Sequence, residues 1–480
     1  MQVKTQLSKD GYIINKSKFS DMILDRTRND LTVEPYKFGI SFGVKEKDEV
    51  FKVFRETDDY LSVPKFYGLE KFGEPKKNIE IKGEDVKIVF TGKLRTEQEH
   101  IINHVMPILN EKNGGLLCLG CGSGKTILAL YIASVFNVKT LIIVHKSFLL
   151  NQWKERIQQF TTNTVGIIQQ DKVEIDNHPF VIGMLQSIVK DKYDTDIFSD
   201  FGLVIFDEAH HAPCKYFSKA LPKINSRKTL ALSATPKRND KLEKVLHWYF
   251  GPIIYKDDIV KNSTVLVKLY NYNIEHEKFK EKKQRFTGQV NRPGTISSMI
   301  TIGRRNKFII DVLEDIILEE GRKIIVLSER VEHLQLLKKR LDERNIIDSG
   351  YYIGGMKQKK LDESAKCTVI FGTFQMASEA LDIKGLNTLI MATSRREIQQ
   401  TIGRITRDPN SMIRPLVIDI IDNLDSFVKQ GYYRRKFYRK NDFQILSSNV
   451  ENNEIINEID ITNNVEITSD DEDNVDFIDD

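Results

Sequence analysis

Two short segments carry the residues with the clearest chemical capacity. Residues 119–126 read Leu-Gly-Cys-Gly-Ser-Gly-Lys-Thr, and residues 204–210 read Val-Ile-Phe-Asp-Glu-Ala-His. A triphosphate is densely negative, and backbone N–H groups can solvate it only where no side chain intervenes. The loop Gly120, Cys121, Gly122, Ser123, Gly124 meets that need, because its three glycines admit close approach and positive φ. A helix starting near Lys125 would point its positive end at the phosphates. In this spacing Lys125 reaches the β- and γ-phosphates, and the Thr126 hydroxyl binds Mg²⁺. One departure is Leu119, where the strict G-x-x-x-x-G-K-[ST] pattern has glycine. The bland alternative is a glycine-rich turn that binds nothing.

The second segment argues against that alternative. Leu203-Val204-Ile205-Phe206 is a short apolar run, as a strand buried on both faces requires. Asp207 and Glu208 then fall at its C-terminal edge, where open α/β sheets bind ligands. Asp207 suits the Mg²⁺ shell, and Glu208 suits a base that orients and deprotonates an attacking water. Taken alone, the pair also fits two solvated carboxylates before a helix. Together the two segments point to a nucleoside triphosphate and Mg²⁺ as cofactors.

Asp207-Glu208-Ala209-His210 resembles the DEAH box of superfamily 2 helicases, and further segments resemble that family's motifs in order. Leu94-Arg95 and Gln98 resemble the segment ahead of the phosphate loop, whose glutamine contacts adenine in some members. Thr140–Val144 with Gln152-Trp153 resembles motif Ia. Ser233-Ala234-Thr235 resembles motif III, which links hydrolysis to nucleic-acid contact. Lys323–Ser328 resembles motif IV, and Thr373–Asp382 resembles motif V. Motif V usually has glycine after its glutamate, whereas Glu379 is followed by Ala380. That methyl group weakens the case for Glu379 more than for Asp382. Gln400, Gly403, Arg404 and Arg407 resemble motif VI, the arginine-finger motif. The resemblance spans roughly residues 92–420, and it implies that the triphosphate is ATP and that His210 couples the nucleotide site to nucleic acid. Leu232–Tyr255 and Gly354–Arg407 look most like helicases of the XPB type, especially those of large cytoplasmic DNA viruses, including the poxvirus transcript-release helicase.

The spacing of Gln400, Arg404 and Arg407 is i, i+4, i+7, which predicts one face of a helix. Such a row can project toward a nucleotide held by another lobe, and arginine pairs with phosphate oxygens while staying charged. Alone, the row would equally suit an exposed basic helix face.

The elements that must position these residues follow from the rest of the chain. Its 480 residues, 40% apolar, are enough for two or three domains. After Lys93, short apolar runs alternate with longer charged segments. They are Gly115–Leu119, Thr140–Val144, Phe180–Met184, Leu203–Phe206 and Thr229–Leu232, then Lys323–Leu327, Tyr351–Ile353, Thr368–Phe371, Thr388–Met391 and Leu416–Ile420. This rhythm predicts parallel sheets built from βαβ units, in two sets. The expected class is α/β: two tandem RecA-like lobes, a small N-terminal α+β domain and an acidic disordered tail. The expected divisions are 1–92 accessory domain, 93–260 first lobe, 261–305 inter-lobe linker or insertion, 306–445 second lobe and 446–480 tail. The linker assignment rests on residues 276–292, rich in Lys and Gln and without an apolar face.

Charge is uneven. Net charge is +4, and residues 451–480 hold twelve Asp/Glu with no Lys or Arg, leaving +4 + 12 = +16 on residues 1–450. So basic a body attracts phosphate backbones. The tail either competes for that basic surface or merely solubilises the chain. Tyr432–Lys440 is the strongest basic–aromatic cluster, suited to stacking on bases or, slightly better, to a helix packing its aromatics on the second lobe. Trp153 and His211 read as packing and structural residues. No run of about 18 uncharged apolar residues occurs, so no membrane span is expected, and the N-terminus lacks a signal-peptide shape. Four cysteines without a second closing pair argue against zinc and for free thiols in a reducing, intracellular compartment, or in a virion if the chain is viral.

These readings lead to an ATP-dependent nucleic-acid helicase or translocase. The resemblance favours DNA over RNA as partner, and a role in transcription or repair with transcription machinery as a further partner. The alternatives are a double-stranded DNA translocase without strand separation, an RNA helicase, and a nucleotide-switched docking module of a transcription complex.

Overall fold

The structure, a computed structural model, describes residues 4–36, 50–120, 123–190, 192–234, 238, 240–257, 264–285, 287–379, 383–406 and 412–463. The chain divides into two compact units, Met1–Asp257 and Asp258–Asp480.

The first unit is built on an eight-stranded sheet. In spatial order its strands are Lys172–Val173, Val165–Gln169, Phe180–Met184, Thr140–Val144, Leu203–Phe206, Lys228–Ser233, Gly114–Cys118 and Ile253–Lys256. All neighbours are parallel except the first pair. Alternating side chains enter two cores. Leu117, Ile142, Ile205 and Leu230 face the helices Thr96–Lys112, Lys125–Phe136 and Ser147–Phe160. Leu116, Leu141, Val204 and Ala231 face the other way and share one core with Leu7, Tyr12, Leu61 and Tyr67. The N-terminal segment, with its own five-stranded sheet and two helices, therefore packs against a face of the larger sheet rather than forming a core of its own. The strands expected from apolar runs are present to within a residue or two.

The second unit repeats the plan. Its order is Ser349–Tyr352, Val369–Thr373, Ile324–Ser328, Thr388–Met391, Leu416–Asp422, Leu266–Asn273, Gln444–Glu451 and Glu454–Asp460, parallel except for the last pair. Two expected boundaries are corrected here. Leu266–Asn273 lies within the sheet, paired on both sides, so the linker assigned to 261–305 is wrong from that strand onward. The strand alternates buried and half-exposed residues, a pattern masked by the Lys- and Gln-rich stretch that follows. Likewise 446–460 is not tail. Gln444–Glu451 and Glu454–Asp460 form a hairpin at the sheet edge, although every residue of the outer strand is exposed. Residues 464–480 lie outside the described residues. No helix among the described residues is long and apolar enough to cross a membrane.

Candidate active site

Gly114–Cys118 feeds directly into the phosphate-loop segment, and the helix Lys125–Phe136 leaves it. Gly124 caps that helix at φ 81°, ψ 36°, a left-handed conformation that favours glycine. A side chain there would also run into the Gln98 amide. Gln98 itself is buried. Its Oε1 accepts from the Arg95 N–H (3.0 Å), and its Nε2 donates to the Ser123 carbonyl (3.2 Å). The role visible for Gln98 is thus to brace the loop from behind. Cys121 and Gly122 lie outside the described residues.

The loop's anion-seeking character shows in a neighbour. Asp257 follows the Ile253–Lys256 strand, and its Oδ2 accepts from the Gly120 N–H (3.2 Å) and from the Ser123 hydroxyl (2.9 Å). A carboxylate thus occupies two hydrogen-bond donors of the loop. The Lys125 ammonium donates to the Leu119 carbonyl at 3.2 Å.

Asp207 and Glu208 follow the buried strand Leu203–Phe206, two strands from Gly114–Cys118. Asp207 is 7% exposed. Burial, then the charge of Glu208, push its carboxyl up to about 6, against the pull of the Trp153 indole and the Lys125 charge. Its Oδ2 accepts from Trp153 Nε1 at 2.8 Å, and its Oδ1 accepts from the Glu208 N–H at 3.0 Å. Glu208 sits at φ 48°, ψ 52°, a conformation that costs a non-glycine residue energy and is concentrated at functional sites. Its Oε2 is buried without a hydrogen-bond partner among the described residues.

His210 links this pair to the neighbouring strand. Its Nδ1 is 3.1 Å from the Ser233 hydroxyl and 3.3 Å from Glu208 Oε2. Burial holds its imidazole down to about 4, so at neutral pH the approach to Glu208 is not an ion pair. His211 lies between His210 and His145, with ring centroids 4.2 and 4.1 Å away and both ring planes tilted by 41°. Burial lowers His145 to about 4 and His211 to about 3. Thr235 lies outside the described residues.

In the second unit, the helix Gln399–Ile405 carries Gln400 and Arg404 on one face. The expected row can be followed for its first two members only. Arg407 and Asp382 lie outside the described residues. Arg404 is 9% exposed, and its guanidinium donates to the Ser378 carbonyl, which ties motif VI to motif V.

Sequence reasoning missed Trp153 as a partner of Asp207, Asp257 as a partner of the loop, and His145 as a member of the histidine cluster. The only signal for Trp153 was its place in the motif Ia resemblance. Asp257 and His145 had none, because 137 residues separate Asp257 from Gly120.

Comparison with known proteins decides the family. The Type III restriction enzyme, res subunit family matches residues 91–238. A protein of Acanthamoeba polyphaga mimivirus, assigned as an ATP-dependent RNA helicase, is 38% identical over 454 residues, covering 92% of this chain and 86% of that protein. The chain belongs to the superfamily 2 helicases. A DNA 3'-5' translocase, XPB2, of Sulfurisphaera tokodaii is 30% identical to this helicase over 253 residues, 51% of this chain and 54% of that protein. Among solved structures, a fragment of an HsdR subunit of a type I restriction enzyme from Vibrio vulnificus aligns at a TM-score of 0.53, with 16% identity, 77% of this chain and 71% of that one. The L327V variant of Dbp5 of S. cerevisiae, bound to RNA and ADP BeF3, aligns at 0.51, with 12% identity, 75% of this chain and 94% of that one. Those two likenesses establish the two-lobed fold of the helicase.

The helicase also has a donor set that fits Mg²⁺. Thr126 and Asp207 offer only oxygens, as a hard cation prefers. Among the described residues no cluster of three or more His, Cys, Asp or Glu could hold a metal. A cation held by one or two side chains plus phosphate oxygens needs none.

Proposed function

We propose that this helicase hydrolyses ATP with Mg²⁺ and uses the cycle to move along or separate DNA strands, in transcription or repair. The observation that carries the hydrolytic part is the Asp207–Glu208 pair. It ends a buried strand near a loop that already draws an anion, and His210 joins it to Ser233. In this reading Gly120, Cys121, Gly122, Ser123, Gly124 and Lys125 hold the phosphates, and Gln98 braces them. Thr126 and Asp207 would hold Mg²⁺, which supplies charge neutralisation when bound. Glu208 takes a proton from the attacking water as its oxygen bonds to the γ-phosphorus and the bond to the ADP oxygen breaks. Arg404 and Arg407 would neutralise the transferred phosphoryl and Gln400 would hydrogen-bond it, as the motif VI resemblance implies, and Asp382 belongs to the nucleotide-binding set. His210, Ser233 and Thr235 relay the nucleotide state toward nucleic acid.

DNA is assigned on the similarity to the archaeal DNA translocase, and the mimivirus relative assigned to RNA sets the alternative. The deciding experiment is steady-state ATPase with single- and double-stranded DNA and RNA. Greater stimulation by DNA is expected. Greater stimulation by RNA would replace the substrate, and inactivity with all four in folded protein would remove the enzyme. The archaeal relative's name also supports a second reading, translocation without strand separation. Triplex displacement without strand displacement would select it.

A further inference from the structure

The Ser147–Phe160 helix packs its apolar face against the sheet, and Trp153 is 1% exposed within that core. Packing alone would be met by phenylalanine or leucine. A buried indole N–H needs an acceptor, and here the acceptor is Asp207 Oδ2 at 2.8 Å. With Oδ1 taken by the Glu208 N–H, each carboxylate oxygen has one donor, so the torsion of the group is set from both sides. The indole nitrogen can only donate, so this bond serves the carboxylate as an acceptor. Each oxygen keeps a further lone pair. Mg²⁺ demands near-ideal octahedral geometry, which makes the orientation of a lone protein carboxylate decisive.

We infer that Trp153 is a positioning residue: its indole N–H aims the Asp207 carboxylate, and the tightening of nucleotide binding by Mg²⁺ depends on that bond. The inference rests on Asp207 holding the metal, as proposed above. Outer-shell partners of metal ligands typically account for 10–100-fold in metal affinity. Trp153→Phe should therefore leave Mg²⁺-free nucleotide affinity unchanged and cut the Mg²⁺-dependent gain by roughly 10–100-fold.

The experiment is titration of a fluorescent ADP analogue into the full chain with and without Mg²⁺. Four proteins are compared: wild type, Trp153→Phe, Asp207→Asn and Leu150→Ala. Leu150 lies on the same helix in the same core, 5% exposed, so its truncation reports loss of packing alone. The expected pattern is loss of the gain in Asp207→Asn, a reduced gain in Trp153→Phe and a normal gain in Leu150→Ala. If Asp207→Asn loses the gain while Trp153→Phe keeps it, the inference is overturned and the metal role of Asp207 stands. A gain equally reduced in Leu150→Ala also overturns it, in favour of packing. If Asp207→Asn keeps the full gain, the reading of Asp207 itself fails. Should Trp153→Phe not fold, Trp248→Phe leaves Trp153 as the sole indole of the chain. Its emission should then change when Mg²⁺ is added to the nucleotide complex, and an unchanged spectrum would count as refutation.

Discussion

Leu203–Phe206 in the first unit and Leu416–Asp422 in the second are both apolar strands that deliver carboxylates, yet their acids meet opposite fates. Asp207 is buried, and the groups that hydrogen-bond it are neutral N–H donors, the Trp153 indole and the Glu208 backbone. Asp419 and Asp422 are each met by a buried guanidinium. Arg434 Nε and Nη2 each reach Asp419 at 2.8 Å, and Tyr438 adds a hydroxyl at 2.9 Å. Arg305 grips Asp422 at 2.6 and 2.8 Å. Arg434 further donates to the Ser394 hydroxyl and the Arg395 carbonyl, so the pair anchors the segment that leads into the Arg404 helix. Asp419 within its strand and Asp422 at its end are thereby committed to structure, whereas among the described residues no cation hydrogen-bonds Asp207. The basic–aromatic helix Asp425–Lys440 follows the same logic: Arg434 and Tyr438 are fully buried, in line with the packing reading, while Tyr432 is exposed.

The sharpest way to break this contrast is Glu208→Gln. As a lost general base it should lower kcat by about 10²–10⁴-fold while nucleotide binding persists, read by ATPase and by equilibrium titration. Asp419→Asn should do the reverse. Removing one partner of a buried pair costs about 3–5 kcal/mol, so chemical denaturation of the second unit should shift strongly while nucleotide affinity stays.

The third test is acid. His145, His210 and His211 fall from 6.5 in the unfolded chain to about 4, 4 and 3 when folded, so the fold favours their neutral forms. Their support is complete above pH 6.5 and is lost as pH falls through the window toward 4. At pH 5 each opposes folding by roughly 2 kcal/mol. Thermal melts from pH 7.5 to 5 should show the loss, and His211→Gln should flatten it. The smallest effect is expected from Asp257→Asn. If nucleotide displaces that carboxylate from Gly120 and Ser123, neutralising it should tighten the Kd of ADP by about 0.5–1.5 kcal/mol, roughly two- to thirteen-fold. Weaker binding would instead make Asp257 a helper of the nucleotide.

Much of this protein was legible in one dimension because its signals are local. A loop that must admit phosphate declares itself by glycines closing on Lys125 and Thr126, and doubly buried strands declare themselves as uninterrupted apolar runs such as Thr140–Val144. Strands with a half-exposed or fully exposed face, Leu266–Asn273 and Glu454–Asp460, carried no such run and were mistaken for linker and tail. Tertiary structure alone decided which charges are spent and which are kept. Arg305 meets Asp422 from 117 residues away, and Trp153 meets Asp207 from 54. Hydrogen bonds and ion pairs act over about 3 Å of space, and nothing in the order of residues reports which distant donor the fold will bring within that reach.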